Sequence, residues 1–262
     1  MAKKNLAKPL SIYKYDERLI AFVDILDFAG KVKASIKSPE SLDRLCEALH
    51  FIKNYINEMH SDYVEPDILQ ITQFSDSIVM SVKMEDSREM VSVFQYLKNI
   101  QVNLIERGVL LRGGIVKGQL IHTNDMLVGP GMVNAYYLES KCAQYPRIVI
   151  DPKVLYQFVR SNGKKESFRI KKFDYHKTFS KDTDGTSYID YFNDIDESLN
   201  NGYSEIYFEK LCRLIKDNID SEDISVRMKY LWMREKLKTS EYFSEFEPIY
   251  RKVMKERKKK IS

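Results

Sequence analysis

The chain has 262 residues, 44% of them apolar and 12% aromatic, with only 10 Gly and 7 Pro; this is the make-up of a folded protein with ample core material, and it excludes disordered and fibrous classes. The formal charge of +4 comes from the chain ends: residues 251–260 (RKVMKERKKK) hold seven cations and one anion, while residues 11–250 are net −5. The body therefore lacks the basic footprint of a nucleic-acid or membrane-surface binder.

In chain order, residues 19–26 (LIAFVDIL) form an apolar run broken only by Asp24, which predicts a buried central strand. Ser38 and Pro39 form a helix start, and Leu42, Leu45, Cys46, Leu49, Ile52 and Ile56 recur behind them at helical spacing to about Met59. ILQITQF (68–74) and SIVMSV (77–82) read as a β-hairpin with Asp76 at its tip. Residues 87–107 predict a helix stopped by Gly108. A strand over 109–121 follows, then a GPG turn (129–131), a helix over MVNAYYLESKCA and a strand at RIVI (147–150). DTDG (182–185) is a turn, and SYIDYF behind it is a further strand. From about residue 199 the pattern is helical alone, with Phe208, Leu211, Leu214 and Ile215 in one stripe and Met228, Leu231, Trp232 and Leu237 in another.

This order predicts an α+β fold, a ferredoxin-like βαββαβ sheet with added strands and C-terminal helices. We divide it into a domain over 1–195 and a helical extension with a basic tip over 196–262. Cys46, Cys142 and Cys212 lie far apart with no CxxC, against a disulfide framework or zinc site. No apolar run reaches the roughly 18 residues of a membrane helix, and MAKKNLAKPL lacks a signal peptide's apolar stretch. The expectation is a cytoplasmic, soluble protein without membrane insertion.

There is no GxxxxGK[ST], GxSxG, HExxH or EF-hand loop, and His50, His60, His122 and His176 share no ligand spacing. Gly113, Gly114 and Gly118 read as a bulge or close backbone crossing before a phosphate loop. The positive signal is the pair Asp24 and Asp76. In a βαββ unit the first strand neighbours the hairpin, so both carboxylates can reach one sheet edge. An acid in an apolar strand needs a partner, and two carboxylates with a carbonyl suit Mg²⁺ or Mn²⁺. The competing reading makes Asp24 the cap of a helix starting at Leu26 and Asp76 a turn residue.

FVDILDF (22–28), QFSDSIVMS (73–81), LLRGGIVKG (110–118), LVGPGMVNAYYLESKCAQYPRIVI (127–150) and DTDGTSYIDYF (182–192) resemble, in that order, the class III nucleotide cyclase domain. Within it the likeness is to the bacterial Pycsar pyrimidine cyclases of antiphage defence, and VRMKYLWM (226–233) resembles their C-terminal part. The resemblance implies a cyclase catalytic domain whose two metal-binding aspartates are Asp24 and Asp76, with the Ile25 backbone carbonyl as a further ligand. The backbone amides of Asp27, Phe28, Ala29 and Gly30 would hold the β and γ phosphates, and Arg112 would contact phosphate, the dimer partner or an internal acid. Two Mn²⁺ or Mg²⁺ ions per site and a homodimer are likewise implied.

The departures are specific. Asp27 stands where these enzymes usually carry Gly. Tyr137 fills the slot of the transition-state arginine, Asn134 is one position out of register with its asparagine, and Lys141 is a candidate for the missing cation. Thr72, four residues before Asp76, replaces the purine-selecting Lys or Glu and is compatible with a pyrimidine. The expected activity is conversion of UTP or CTP to 3′,5′-cyclic UMP or cyclic CMP plus diphosphate, with the product acting on a separate effector. Two alternatives remain: a catalytically inactive cyclase-like nucleotide sensor, and a polymerase-palm-like nucleic-acid enzyme. A diguanylate cyclase fits less well, because the hairpin reads FSDS and not GGDEF.

Overall fold

A computed structural model describes residues 13–61, 68–84, 87–162, 178–193 and 203–256. The expected boundary at 195/196, His176, the N-terminal Lys3, Lys4 and Lys8, and residues beyond Glu256 lie outside them.

The apolar run of the first strand, β1 (Asp16–Ile25), is buried along nearly all its length because it has a strand on each side and layers above and below. The hairpin β2 (Leu69–Phe74) and β3 (Ser77–Lys83) lies on one flank. β4 (Leu111–His122) lies antiparallel on the other. The order β2-β3-β1-β4 continues through β6 (Ile148–Ile150), β8 (Ser187–Ile189) and β7 (Phe179–Lys181), and the short β5 (Leu127–Val128) pairs off β4. The first four strands with the intervening helices are the βαββαβ unit, and the remainder are its added strands.

Alternation sorts β1 onto two faces. Leu19, Ala21, Val23 and Ile25 pack into the larger core with α2 (Pro39–Ser61), α3 (Ser87–Glu106) and α5 (Pro152–Asn162). Ile20 and Phe22 pack on the opposite face with Val79, Val116, Leu120 and Ala135, the last from α4 (Pro130–Cys142). Asp24 has the parity of this second face. α4 approaches β4 so closely that a Cβ on Gly114 would stand 2.8 Å from the Ala135 carbonyl oxygen, and one on Gly118 2.8 Å from the Gly131 Cα. The glycine-rich β4 segment is thus a close backbone crossing, the reading preferred from spacing.

The C-terminal helices α6 (Tyr203–Asn218), α7 (Ile224–Lys238) and α8 (Phe243–Lys255) share a core with the sheet unit: Leu26, Val102, Ile105 and Leu110 pack with Tyr207, Phe208, Leu211, Met233 and Val253. A polar anchor reinforces it. Arg147, buried, pairs with Asp182 and Asp184. Asp182 also accepts from Trp232 Nε1 at 2.7 Å and pairs with Lys236 at 2.7 Å, while the Trp232 ring stacks on Tyr145 at 5.3 Å.

Candidate functional site

Asp24, half-buried near the end of β1, lies directly opposite Ser77 on β3 and Arg112 on β4. Asp76 precedes Ser77 in the tight turn that Ser75 forms at φ 56, and its carbonyl accepts from the Ile25 amide at 3.1 Å. The register therefore brings the two acids together at one sheet edge, beside Ile25. Asp24 sits inside a strand and caps no helix, so the alternative of a helix starting at Leu26 fails: α1 (Phe28–Ser35) begins later, behind Asp27.

Burial holds the Asp24 carboxyl above the usual carboxylate range, and the charge of Asp76, within hydrogen-bonding reach, adds to it. Arg112 and a Ser77 Oγ hydrogen bond at 3.2 Å act in the opposite sense without prevailing. Two like charges held this close favour a cation between them. Among the described residues no cluster of three or more His, Cys, Asp or Glu forms a metal site. A cation here would therefore take two carboxylates and complete its shell with carbonyl, water or phosphate oxygen, a donor set that fits Mg²⁺ or Mn²⁺.

Arg112 has a defined place. Its Nη2 lies 3.5 Å from Asp24 Oδ2 and its Nε 2.6 Å from Glu139 Oε1 on α4. Of its three open roles, the structure shows the internal ion pair. Glu139 is 2% exposed, and burial raises its pKa against the lowering effect of Arg112. Sequence reasoning passed over Glu139, because its pairing with Arg112 depends on where α4 lands on the sheet.

α1 opens next to the acids. Asp27 adopts a left-handed conformation, φ 57 and ψ 39, and its side chain forms no cap hydrogen bond. Its carboxylate folds back over Gly30, occupying the space a Cβ would need, and its charge bears on Lys31 and on Tyr230 of α7. The first-turn amides of Phe28, Ala29 and Gly30 precede the first helical bond, Lys31 N–H to Asp27 C=O at 3.0 Å. Such amides attract anions.

Asn134 is not gathered with the acids within one chain. Asn134 lines a cleft of about 510 Å³ with Glu17, Lys117, Tyr137, Asp151 and Lys153, and Glu17 is seven residues from Asp24, about 23 Å along the strand. Lys141 is exposed on the last turn of α4. Thr72 shares the face of Asp24 and hydrogen-bonds His122 at 2.9 Å, a partner that histidine spacing alone did not reveal.

Among solved structures, the chain is similar to a bacterial light-regulated adenylyl cyclase, at 13% identity and a TM-score of 0.42, over 74% of this chain and 96% of that one. It is also similar to the catalytic core of a rhodopsin-guanylyl cyclase with converted specificity in complex with ATPαS, at 15% identity and a TM-score of 0.37, over 67% and 95%. No family model and no curated protein matches the chain.

Proposed function

We propose that the protein is a pyrimidine nucleotide cyclase that converts UTP or CTP to the 3′,5′-cyclic monophosphate and diphosphate. The observation that carries this is the Asp24–Asp76 pair, two neighbouring carboxylates at the sheet edge beside the first-turn amides of α1. Asp24, Asp76 and the Ile25 carbonyl would hold two divalent cations. When bound, these supply charge neutralisation at the triphosphate and acidify the 3′-hydroxyl. The chain's own work is positional. The α1 amides orient the terminal phosphates, the two carboxylates fix the reacting end, and Arg112, tied to Glu139, keeps the Asp24 carboxylate from swinging toward solvent. No side chain here need serve as general base.

A homodimer is part of the proposal. Val133, Tyr136 and Tyr137 are 64%, 54% and 62% exposed on the outer side of α4, and Phe74 is 48% exposed beside the acids. A second copy covering this face would bring Asn134 and Lys141 toward the partner's acids. By the sequence resemblance, the cyclic product acts on a separate effector in antiphage defence, inside the cytoplasm. Among the described residues no helix is long and apolar enough to cross a membrane, and the acidic body does not favour nucleic acid as substrate. The test is diphosphate release from UTP and CTP in Mn²⁺: the wild type should release it, and Asp24→Ala and Asp76→Ala should not while retaining a native circular dichroism spectrum. Turnover in either variant would refute the mechanism.

A further inference from the structure

The segment that joins the Asp24 edge to α1 rests on the C-terminal helices. Leu26, 8% exposed, lies in one core with Leu110, Tyr207, Leu211, Tyr230 and Met233, and its amide donates to the Leu110 carbonyl at 2.8 Å. Asp27 follows directly. Among the described residues it is one of two at positive φ that are not glycine, and the other, Ser75, adjoins Asp76.

Asp27 holds the position of a helix cap without doing its work. A capping carboxylate sits on an extended backbone and accepts from the second or third amide of its helix. Here φ 57 turns the side chain aside. It caps no amide and lies over Gly30, where a Cβ would stand 2.7 Å from its Cγ. The first-turn amides are thereby left to a ligand, and the carboxylate is left without a hydrogen bond or ion pair among the described residues. Its charge reaches two groups. One is Lys31, one turn further along α1, whose Nζ already donates to the Gly108 carbonyl at 3.1 Å. The other is Tyr230 on α7, 8% exposed, whose hydroxyl makes no hydrogen bond to a described residue. Burial first, and the Asp27 charge second, push Tyr230 up to about 12, so at neutral pH the hydroxyl keeps its proton and is a donor.

We propose that Tyr230 is a positioning residue for triphosphate binding, its hydroxyl taking up the Asp27 carboxylate when phosphate settles on the α1 amides. This rests on the nucleotide cyclase reading of the Asp24–Asp76 site, and it makes the C-terminal helices part of that site. Phosphate on the first turn of α1 lies within about one helical pitch, roughly 5 Å, of the carboxylate, close enough for like charges to repel in a partly buried setting. A hydrogen bond to the ionised carboxylate offsets that repulsion. Asp27 stands where the enzymes this sequence resembles carry glycine, and Tyr230 is what lets the acid be tolerated there.

The test is a double-mutant cycle in the full chain: wild type, Tyr230→Phe, Asp27→Gly and the double variant, each with a thermal melt, KM and kcat for UTP in Mn²⁺, and calorimetric titration with inorganic tripolyphosphate in Mn²⁺. Tyr230→Phe should raise KM and weaken tripolyphosphate on the order of tenfold, with kcat changed much less. Asp27→Gly should bind tripolyphosphate at least as tightly as the wild type, and in that background Tyr230→Phe should change nothing. A purely structural tyrosine would act alike in both backgrounds. Should Asp27→Gly fail to fold, Asp27→Asn, which tolerates the left-handed backbone and carries no charge, takes its place and should shrink the Tyr230→Phe effect. Equal effects of Tyr230→Phe in both backgrounds, or none in the wild type, overturn the inference while the cyclase reading stands. If no nucleotide is cyclised, the cyclase reading falls and the tripolyphosphate cycle still decides: a Tyr230 effect that vanishes with Asp27 supports the inference, and equal effects or no binding overturn it.

Discussion

Asp24 and Asp76 are tied across the β1–β3 edge, the Ile25 amide donating to the Asp76 carbonyl at 3.1 Å while the two carboxyls lie within hydrogen-bonding reach of each other. The arrangement works against the fold. A carboxyl whose pKa is higher folded than unfolded is disfavoured once ionised, and the penalty is complete above its folded pKa. Asp24→Asn should therefore raise the Tm at pH 7.5 in chelator, by roughly 2–4 °C per kcal/mol relieved. A Tm below wild type would mean that Arg112 outweighs burial and Asp76.

Cation binding should be visible without turnover. Mn²⁺ at about 100 times its Kd stabilises the folded state by about 2.7 kcal/mol, or roughly 5–10 °C for a chain of this size. Differential scanning fluorimetry with and without Mn²⁺ should show this rise for the wild type and its loss in Asp24→Asn and Asp76→Asn. A rise preserved in both variants would place the cation elsewhere.

The Asp182 anchor should set acid stability. Burial would raise the Asp182 carboxyl, but hydrogen bonds from Lys236, Thr183 and Trp232 hold it below the usual range, and Arg147 does the same for Asp184. Depressed carboxylates stabilise above their unfolded value, near 3.8, and the contribution disappears as pH falls through and below that point. Asp182→Asn leaves Arg147 and Lys236 short of a buried counter-charge and should cost about 3 kcal/mol or more in urea denaturation at pH 7. The deficit should shrink toward pH 3.

The α4–β4 crossing admits no side chain. Gly114→Ala places a methyl 2.8 Å from the Ala135 carbonyl oxygen and 2.9 Å from the Glu139 amide, both backbone atoms that cannot rotate away. The expected loss is about 1–3 kcal/mol, measured by urea denaturation, together with displacement of Glu139 from Arg112. Gly185→Ala, where no atom lies within 4 Å of the added carbon, differs in kind, its cost coming from a backbone at φ 84.

The parts of this fold legible in sequence were those with a strong local signal. LIAFVDIL announced a central strand, and QFSDSIV a hairpin with an acid at its turn; topology then made Asp24 and Asp76 neighbours. The helix α5 was missed although Asp151–Pro152 marks its start: Asp151 Oδ1 accepts from the Lys153 amide at 2.7 Å. The strands β5 and β7, two and three residues long, are too short for alternation to show. The DTDG turn was recognised, but its anchor to Trp232 and Lys236 was not, since no periodicity couples residues 50 positions apart. The same holds for Glu139 with Arg112 and for His122 with Thr72. Each partner was visible, while the pairing depends on strand register and on where α4 lands.

The account is tested most directly by incubating the full chain with each of the four nucleoside triphosphates and Mn²⁺ and identifying the products by mass spectrometry. It predicts a 3′,5′-cyclic pyrimidine nucleotide with equimolar diphosphate, lost in Asp24→Ala. Absence of any cyclic nucleotide, or formation of cyclic AMP or cyclic GMP alone, would contradict it.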